Sequence, residues 1–227
     1  DEGDYIYIVA SEGLKVGTGD VEVYTWDADL NHTLLVSVPA ASCMVTEKGA
    51  KDTLFIPVDK GLWVSEAEYF VKYTEGIATD MSGNKLAGIS TTEDWKFVVQ
   101  DFLAPTYTVV PANGATGVSE AAPQIKITFN EDLYSDAVGT PMTDVDALAA
   151  LSLKNKDGAA VTMTVASFDG KKIELNIDPA EVTSSASFEL SIDTKKFFDA
   201  SGNVGTTVDV VGFILKDYEG PVVTIEP

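Results

Sequence analysis

Apolar and polar residues alternate with a period of two along most of the chain. The clearest runs are residues 5–9, 21–26 and 124–129, which are rich in β-branched and aromatic side chains. Such runs are typical of strands with one face in a core and the other in solvent. Clusters of Gly, Asn, Asp and Pro separate them, as turns require. The pattern therefore predicts an all-β protein built from β-sandwiches.

One segment has the spacing of a helix instead. Ala147, Leu148 and Leu151 share one helical face within residues 144–151. Asp144 is a suitable N-cap, because its side chain can accept a hydrogen bond from a free backbone N–H of the first turn. We expect one short helix here.

A short sequence occurs twice and divides the chain. Residues 80–84 read Asp-Met-Ser-Gly-Asn, and residues 199–203 read Asp-Ala-Ser-Gly-Asn, an offset of 119 residues. Residues 54–59 and 69–73 keep their apolar pattern at 173–178 and 188–192 under the same offset. A repeat of this length indicates duplicated modules. The sequence predicts two tandem β-sandwich domains, residues 1–101 and residues 102–217.

The linkers repeat as well. Residues 101–105 return as residues 217–221, and aligning residues 5–9 with 105–109 places Asp1, Asp101 and Asp217 in register. The tail, residues 220–227, matches residues 104–111 in pattern. We therefore expect residues 218–227 to begin a third, truncated module, and the native protein to extend beyond both ends of this chain.

The charge of the chain is strongly negative. It has 15 basic residues, all of them lysine, against 36 acidic ones, for a net charge of −21. This balance argues against nucleic acid and against an anionic membrane surface as partners, because both are bound through cations. No apolar run approaches the roughly 20 residues that span a bilayer. Divalent cations are the ions that such a chain attracts, and carboxylate oxygens suit calcium.

Several motifs together resemble a known family. Residues 111–118 (Pro-Ala-Asn-Gly-Ala-Thr-Gly-Val), 125–131 (Ile-Lys-Ile-Thr-Phe-Asn-Glu) and 198–203 (Phe-Asp-Ala-Ser-Gly-Asn) are similar to the tandem bacterial immunoglobulin-like (Big-type) domains of surface-layer proteins and large cell-surface adhesins. The first module keeps only the latter half of this pattern, through residues 77–84 and 95–97. The resemblance implies a structural module without catalysis, secreted to the bacterial cell surface or cell wall.

Strand direction suggests where cations would bind. In a seven-strand sandwich, the loop after the second strand and the loop before the last strand lie at the N-terminal end. In the second module both loops would meet the linker that carries Asp101, and the predicted calcium ligands there are Asp101, Glu131, Asp132, Asp199 and Asn203. The corresponding ligands in the first module are Asp1, Asp27, Asp29, Asp80 and Asn84. Calcium there would fix the angle between modules through about six to eight oxygen contacts.

The same Asp-x-Ser-Gly-Asn motif has a simpler interpretation as a turn. Asp80 and Asp199 would then accept backbone hydrogen bonds, and Gly83 and Gly202 would adopt positive φ. Both interpretations stay open at the level of sequence.

The residues offer little support for catalysis. His32 is the only histidine, so a Ser-His-Asp triad would depend on a residue that we expect in a solvated loop. Of the three tryptophans, Trp63 is the best candidate for an exposed ring that could bind a sugar. Trp26 and Trp95 are expected to pack in the core or at a sheet edge. We therefore expect no enzymatic activity.

The sequence favours a structural role for the chain. We expect a module that associates with other copies or with neighbouring domains of the parent protein, in an extended array made rigid by calcium. The alternative is a spacer or binding module within a secreted adhesin or a multidomain carbohydrate-active enzyme.

Overall fold

The chain folds into β-strands with one short α-helix. The structure, a computed structural model, describes residues 5–27, 29, 31–48, 51–122 and 124–224, without the side chains of residues 47, 48 and 51. It divides into two compact units, Asp1–Asp101 and Phe102–Pro227. The predicted all-β, immunoglobulin-like fold is confirmed by the strand order within the units.

The first unit is a sandwich of a three-stranded and a four-stranded sheet. Its strands are β1 (Tyr5–Val9), β2 (Leu14–Val16), β3 (Asp20–Thr25), β4 (Leu34–Pro39), β5 (Met44–Lys48), β6 (Lys51–Pro57), β7 (Glu68–Tyr73), β8 (Ala78–Asp80) and β9 (Lys96–Val98). The two sheets have the orders β1-β6-β5 and β4-β3-β7-β9, and β2 pairs separately with β8. Val23, Ile56 and Val71 point inward from three of these strands and are fully buried.

The second unit adds two strands at its N-terminal side. Its elements are β10 (Tyr107–Val110), β11 (Ala115–Val118), β12 (Ile125–Phe129), α1 (Asp144–Ala149), β13 (Leu151–Asn155), β14 (Ala160–Val161), β15 (Met163–Phe168), β16 (Lys172–Ile177), β17 (Ser187–Asp193) and β18 (Val208–Leu215). The sheets have the orders β10-β12-β16-β15 and β11-β18-β17-β13-β14. This is the strand arrangement of immunoglobulin sandwiches, in which the second, fifth and fourth strands share one sheet.

Alternation along the strands fills the core of the second unit. Ile125, Ile127 and Phe129 on β12 are buried, whereas Lys126 and Thr128 between them face solvent. Because successive side chains of a strand point to opposite faces, the polar residues stay in water while the apolar ones pack between the sheets.

The Pro-Ala-Asn-Gly motif joins the edge strand β11 to the last strand. The Asn113 Oδ1 atom accepts a hydrogen bond from the Gly212 N–H at 2.9 Å. The Gly114 N–H donates to the Gly212 carbonyl at 2.7 Å, and β11 then runs parallel to β18. The motif therefore fixes the start of the β11–β18 pair.

The structure corrects the alignment of the first strand. Ile6 pairs with Ile56 in the first unit, and Ile125 pairs with Leu175 in the second, so both partners keep the offset of 119 residues. Strand β1 therefore corresponds to β12, and the predicted alignment of residues 5–9 with 105–109 is wrong. Alternation alone does not distinguish one strand of a sheet from its neighbour, whereas the pairing register does.

The predicted helix is present, but its cap is one residue earlier than expected. Thr143, rather than Asp144, is the N-cap, and its hydroxyl accepts a hydrogen bond from the Asp146 N–H at 3.2 Å. The Asp146 carboxylate accepts in return from the Thr143 N–H at 3.1 Å, which completes a capping box.

The C-terminal tail has no strand partner in the described part of the chain. Residues 218–224 lie outside every strand, and Val222 is 94% exposed. Residues 225–227 lie outside the described residues, so the third module stays a prediction. No described helix has the length and apolar character needed to cross a membrane.

We predict that Leu54→Ala lowers the free energy of unfolding of the first unit by about 2–5 kcal/mol, because it leaves a cavity between the two sheets. Leu54 is fully buried. Tryptophan fluorescence during urea unfolding measures this directly, since Trp26, Trp63 and Trp95 all lie in that unit.

The matched control is Met44→Ala on the neighbouring strand β5, where the side chain is 49% exposed. It is expected to change the free energy by about 0.5 kcal/mol or less. Equal losses for the two variants would contradict the assignment of Leu54 to the core.

Candidate functional site

The Asp199 loop connects β17 to β18 and is held by its own carboxylate. The Asp199 Oδ1 atom accepts hydrogen bonds from the Ser201 and Asn203 N–H groups, both at 2.8 Å. Its Oδ2 atom accepts from the Asn203 Nδ2 atom at 2.7 Å. Gly202 has a φ of 84°, a conformation that favours glycine. The motif thus forms the predicted turn.

The position of Asp199 is unusual for an acidic side chain, because this residue is fully buried. Burying a carboxylate is costly unless hydrogen bonds replace its water. The three bonds of the turn supply this replacement, and they also fix where the carboxylate lies.

The loop after β12 lies beside this turn. Tyr134 and Phe198 exchange two backbone hydrogen bonds, from N–H to carbonyl, of 2.8 and 3.0 Å. This pairing brings a carboxylate oxygen of Glu131 within 4.8 Å of one of Asp199. Glu131 is half-buried, and its Oε1 atom accepts a hydrogen bond from the Asn130 amide at 3.1 Å. Of the predicted ligands on these two loops, the structure therefore brings Glu131 and Asp199 together.

Asn130 also fastens the beginning of the second unit. Its Oδ1 atom accepts from the Thr106 N–H at 2.7 Å, and its own N–H donates to the Thr106 carbonyl at 3.0 Å. Asn130 is not among the site residues predicted from the sequence, although it stands directly after β12 and directly before Glu131.

Asp132 points to a different partner. Its Oδ1 atom lies 4.0 Å from Lys171 Nζ, and its side chain is 66% exposed. Asp101 is the last residue of the first unit, half-buried, and its carboxylate accepts a hydrogen bond from the Ser65 hydroxyl. Asn203 uses its amide nitrogen within the Asp199 turn.

The first unit repeats the turn at its surface. Asp80 Oδ1 accepts from the Ser82 and Asn84 N–H groups at 2.8 Å, and Oδ2 accepts from Asn84 Nδ2 at 2.6 Å. The Asn84 side-chain hydrogen bond, followed by the backbone hydrogen bonds, lowers the pKa of the Asp80 carboxyl. Hydrogen bonds to the charged form have this effect because they favour ionisation.

The structure does not bring Asp27 and Asp29 to Asp80. Both follow β3, whose end at Thr25 pairs with Tyr69 at the start of β7, whereas Asp80 comes after the end of β7. The prediction placed them beside Asp80 because it took β3 for the second strand of the sandwich. Across the described part of the first unit, no three acidic side chains bring ligand atoms within 4.8 Å of one another. Asp1 lies outside the described residues.

The aromatic side chains of the first unit are used in packing. The Trp63 ring meets Tyr69 edge-on at 4.9 Å, so it is less available than expected. His32 is half-buried rather than solvated: its Nδ1 atom accepts from the Asp27 N–H at 3.3 Å, and its ring meets Phe70 at 4.8 Å. Lys96 Nζ lies 3.3 Å from the centre of the Trp26 ring.

One comparison with known protein families matches the second unit. Residues 103–213 match the family model described as bacterial Ig-like domain. Domains of this family are typical of surface-exposed bacterial proteins and are generally non-catalytic. A solved structure entitled "Anomalous substructure of Titin-A168169" is 11% identical, covering 89% of this chain and 85% of that chain with a TM-score of 0.28. The comparison with curated proteins gives no match.

The lowered pKa of Asp80 predicts an acid-dependent contribution to stability. A carboxyl whose folded-state pKa is depressed stabilises the fold above its ordinary pKa, and this contribution is lost as the pH falls through the lowered value. Asp80→Ala should therefore be less stable than the native chain at pH 7, and the difference should shrink below about pH 4. Urea unfolding followed by tryptophan fluorescence at a series of pH values measures it.

Asp80→Asn is the matched variant, because it keeps an oxygen for the two backbone N–H groups but has no titratable group. The free energy of unfolding of this variant should not show the part of the decrease in acid that comes from protonation of Asp80 in the native chain. A gap between Asp80→Ala and the native chain that is the same at pH 2 and pH 7 would contradict the assignment.

Proposed function

We propose that this chain is a non-catalytic structural module of a bacterial surface-layer-type protein. It contributes to an extended array, associates with other copies or with neighbouring domains of its parent protein, and is made rigid by calcium between its modules. The coarser part of this proposal, a bacterial Ig-like module of a surface-exposed protein, is supported by the family match over residues 103–213.

The observation that carries the calcium part is the pair of carboxylates at the beginning of the second unit. Glu131 and Asp199 have oxygens within 4.8 Å of each other. Two carboxylates at such a distance repel each other, and a divalent cation relieves this repulsion. Calcium accepts flexible sets of oxygen ligands from carboxylates, backbone carbonyls and water, which suits this open arrangement.

The position of the pair along the chain supports a role between modules. Asn130 binds the backbone of Thr106 and also donates to Glu131, so the pair lies where the chain begins the second unit. Asp101 precedes Thr106 by five residues, a stretch that spans at most about 18 Å. We propose Asp101 as the third carboxylate ligand and water as the source of the remaining oxygens.

The net charge explains why a cation is needed in such an array. With a charge of −21, neighbouring copies repel one another at low ionic strength. Calcium bound between modules lowers this charge and replaces a free hinge by oxygen contacts. Both effects favour regular packing of identical chains.

We predict that Glu131→Gln and Asp101→Asn each weaken calcium binding to the 227-residue chain by about tenfold or more, because each removes one charged ligand. Isothermal titration calorimetry in chelator-treated buffer measures the affinity. Asp132→Asn, in the same loop but paired with Lys171, is the matched control and should bind as the native chain does. Asp199 is a poor choice for this test, because its substitution also removes the hydrogen bonds of the turn.

Saturating calcium should also raise the stability of the native chain. At a concentration of about 100 times Kd the gain is about 2.7 kcal/mol, and chelation should reverse it. A melting temperature that is the same with calcium and with chelator would refute the calcium site. The array is tested separately by electron microscopy of chains incubated with calcium, where chains that remain single would favour a spacer role.

A further inference from the structure

A serine occupies the same place in both units, in the turn that precedes β7 in the first unit and β17 in the second. Ser65 lies before β7 and Ser184 lies before β17, 119 residues apart. The turns are closed in the same way, by the Ala67 N–H on the Val64 carbonyl at 3.2 Å and by the Ala186 N–H on the Thr183 carbonyl at 3.1 Å. The offset of the repeat therefore holds for the turn and its hydrogen bond.

Each turn also has a residue with a strained backbone at the same position. Glu66 has a φ of 60° and Ser185 a φ of 58°, and they are the two non-glycine residues with positive φ in the described part of the chain. Side chains other than glycine rarely adopt this conformation, and it persists only where the surroundings require it. Because the strained conformation occurs at corresponding positions in both units, we infer that the turn has a structural role that requires it.

The serine of each turn binds an aspartate that comes shortly after the last strand of its sandwich. The Ser65 hydroxyl donates to Asp101 Oδ1, and the Ser184 hydroxyl donates to Asp217 Oδ1 at 2.7 Å. In the second unit the bond is reinforced, because Ser184 Oγ accepts from the Tyr218 N–H at 3.0 Å and Asp217 Oδ1 accepts from the Glu219 N–H at 3.1 Å. The Ser184 hydrogen bond, followed by that of Glu219, lowers the pKa of the Asp217 carboxyl.

The same turn is also bonded to the chain at the end of the last strand of its unit. The Val99 N–H donates to the Ala67 carbonyl at 3.0 Å, and the Leu215 N–H donates to the Ala186 carbonyl at 2.8 Å. In each unit two hydrogen bonds thus join the turn to the chain at and just after the end of the last strand. One is the backbone bond two residues before the aspartate, and the other is the bond from the serine to the aspartate. Together they set the direction in which the chain leaves.

We propose that Ser65 and Ser184 are positioning residues, each of which clamps the chain just after the last strand of its sandwich. Ser65 fixes the direction of the linker and holds the Asp101 carboxylate in place. The part of this role that concerns calcium rests on the proposed function, because it makes Ser65 the residue that orients one ligand. Ser184 holds the Asp217 carboxylate and the chain that follows it in the same way, without a part in the proposed calcium site.

The clamp is tested first without calcium, by hydrogen exchange in chelator. Ser65→Ala should make the amides of residues 100–103 exchange about tenfold faster, the effect of one lost hydrogen bond, and leave residues 216–219 unchanged. Ser184→Ala should do the reverse, so each variant is the control for the other. Unchanged exchange at residues 100–103 in Ser65→Ala would overturn the clamp.

Glu66→Gly separates the clamp from the strain of the turn. It relieves the positive φ while it keeps the Ser65 hydroxyl, so the exchange of residues 100–103 should remain close to native. Exchange as fast as in Ser65→Ala would show that the turn conformation, and not the serine, fixes the linker, and would overturn the assignment to Ser65.

The calcium part is tested by titration of the same variants. Ser65→Ala should weaken calcium binding about tenfold, because Asp101 must then be ordered when the ion binds. Ser184→Ala should bind as the native chain does. A native chain that binds no calcium would refute the proposed function while the exchange results still decide the clamp. Equal weakening by both serine variants would overturn the link between Ser65 and the ion.

Discussion

A buried carboxylate with three hydrogen bonds organises the N-terminal end of the second unit. Asp199 has no exposed surface, and its stability there depends on the two N–H groups and the amide that it binds. These bonds fix the turn between β17 and β18. The loop after β12 is then bonded to the chain beside that turn, which sets the position of Glu131. The position of the candidate cation site thus depends on the hydrogen bonds that stabilise the buried Asp199 carboxylate.

The duplicated turn shows how two copies of a motif diverge without losing their backbone geometry. Asp80 makes the same three hydrogen bonds as Asp199, but it is only half-buried. A Cβ atom built on Gly83 would meet no atom within 4 Å, whereas one built on Gly202 would lie 3.0 Å from the Ala137 carbonyl oxygen. The hydrogen bonds are local and survive in both copies. The packing around them comes from other segments and differs.

Local patterns in the sequence predicted the strands well, because alternation reports which side chains face the core. The repeat offset placed β6 against β16 and β7 against β17 for the same reason. The sequence did not show which strand of the sandwich each segment forms. The alternation in residues 5–9 would suit any strand of the sheet, and only their pairing with β6 shows that they correspond to β12. The misplacement of Asp27 and Asp29 followed from the same ambiguity at β3. The bond from Ser65 to Asp101 joins residues 36 apart, and no pattern of small polar residues indicates such a contact.

The parallel pairing of β11 with β18 has a consequence for the response of the second unit to tension. Strand β11 is near the beginning of the unit and β18 is its last long strand, and the two run in the same direction. A pull on the two ends of the unit therefore slides these strands past each other along their length. The hydrogen bonds between them are then loaded together in shear, and they resist far more force than bonds that open one after another. The bonds of Asn113 and Gly114 to Gly212 lie at the start of this pair and add to the same resistance.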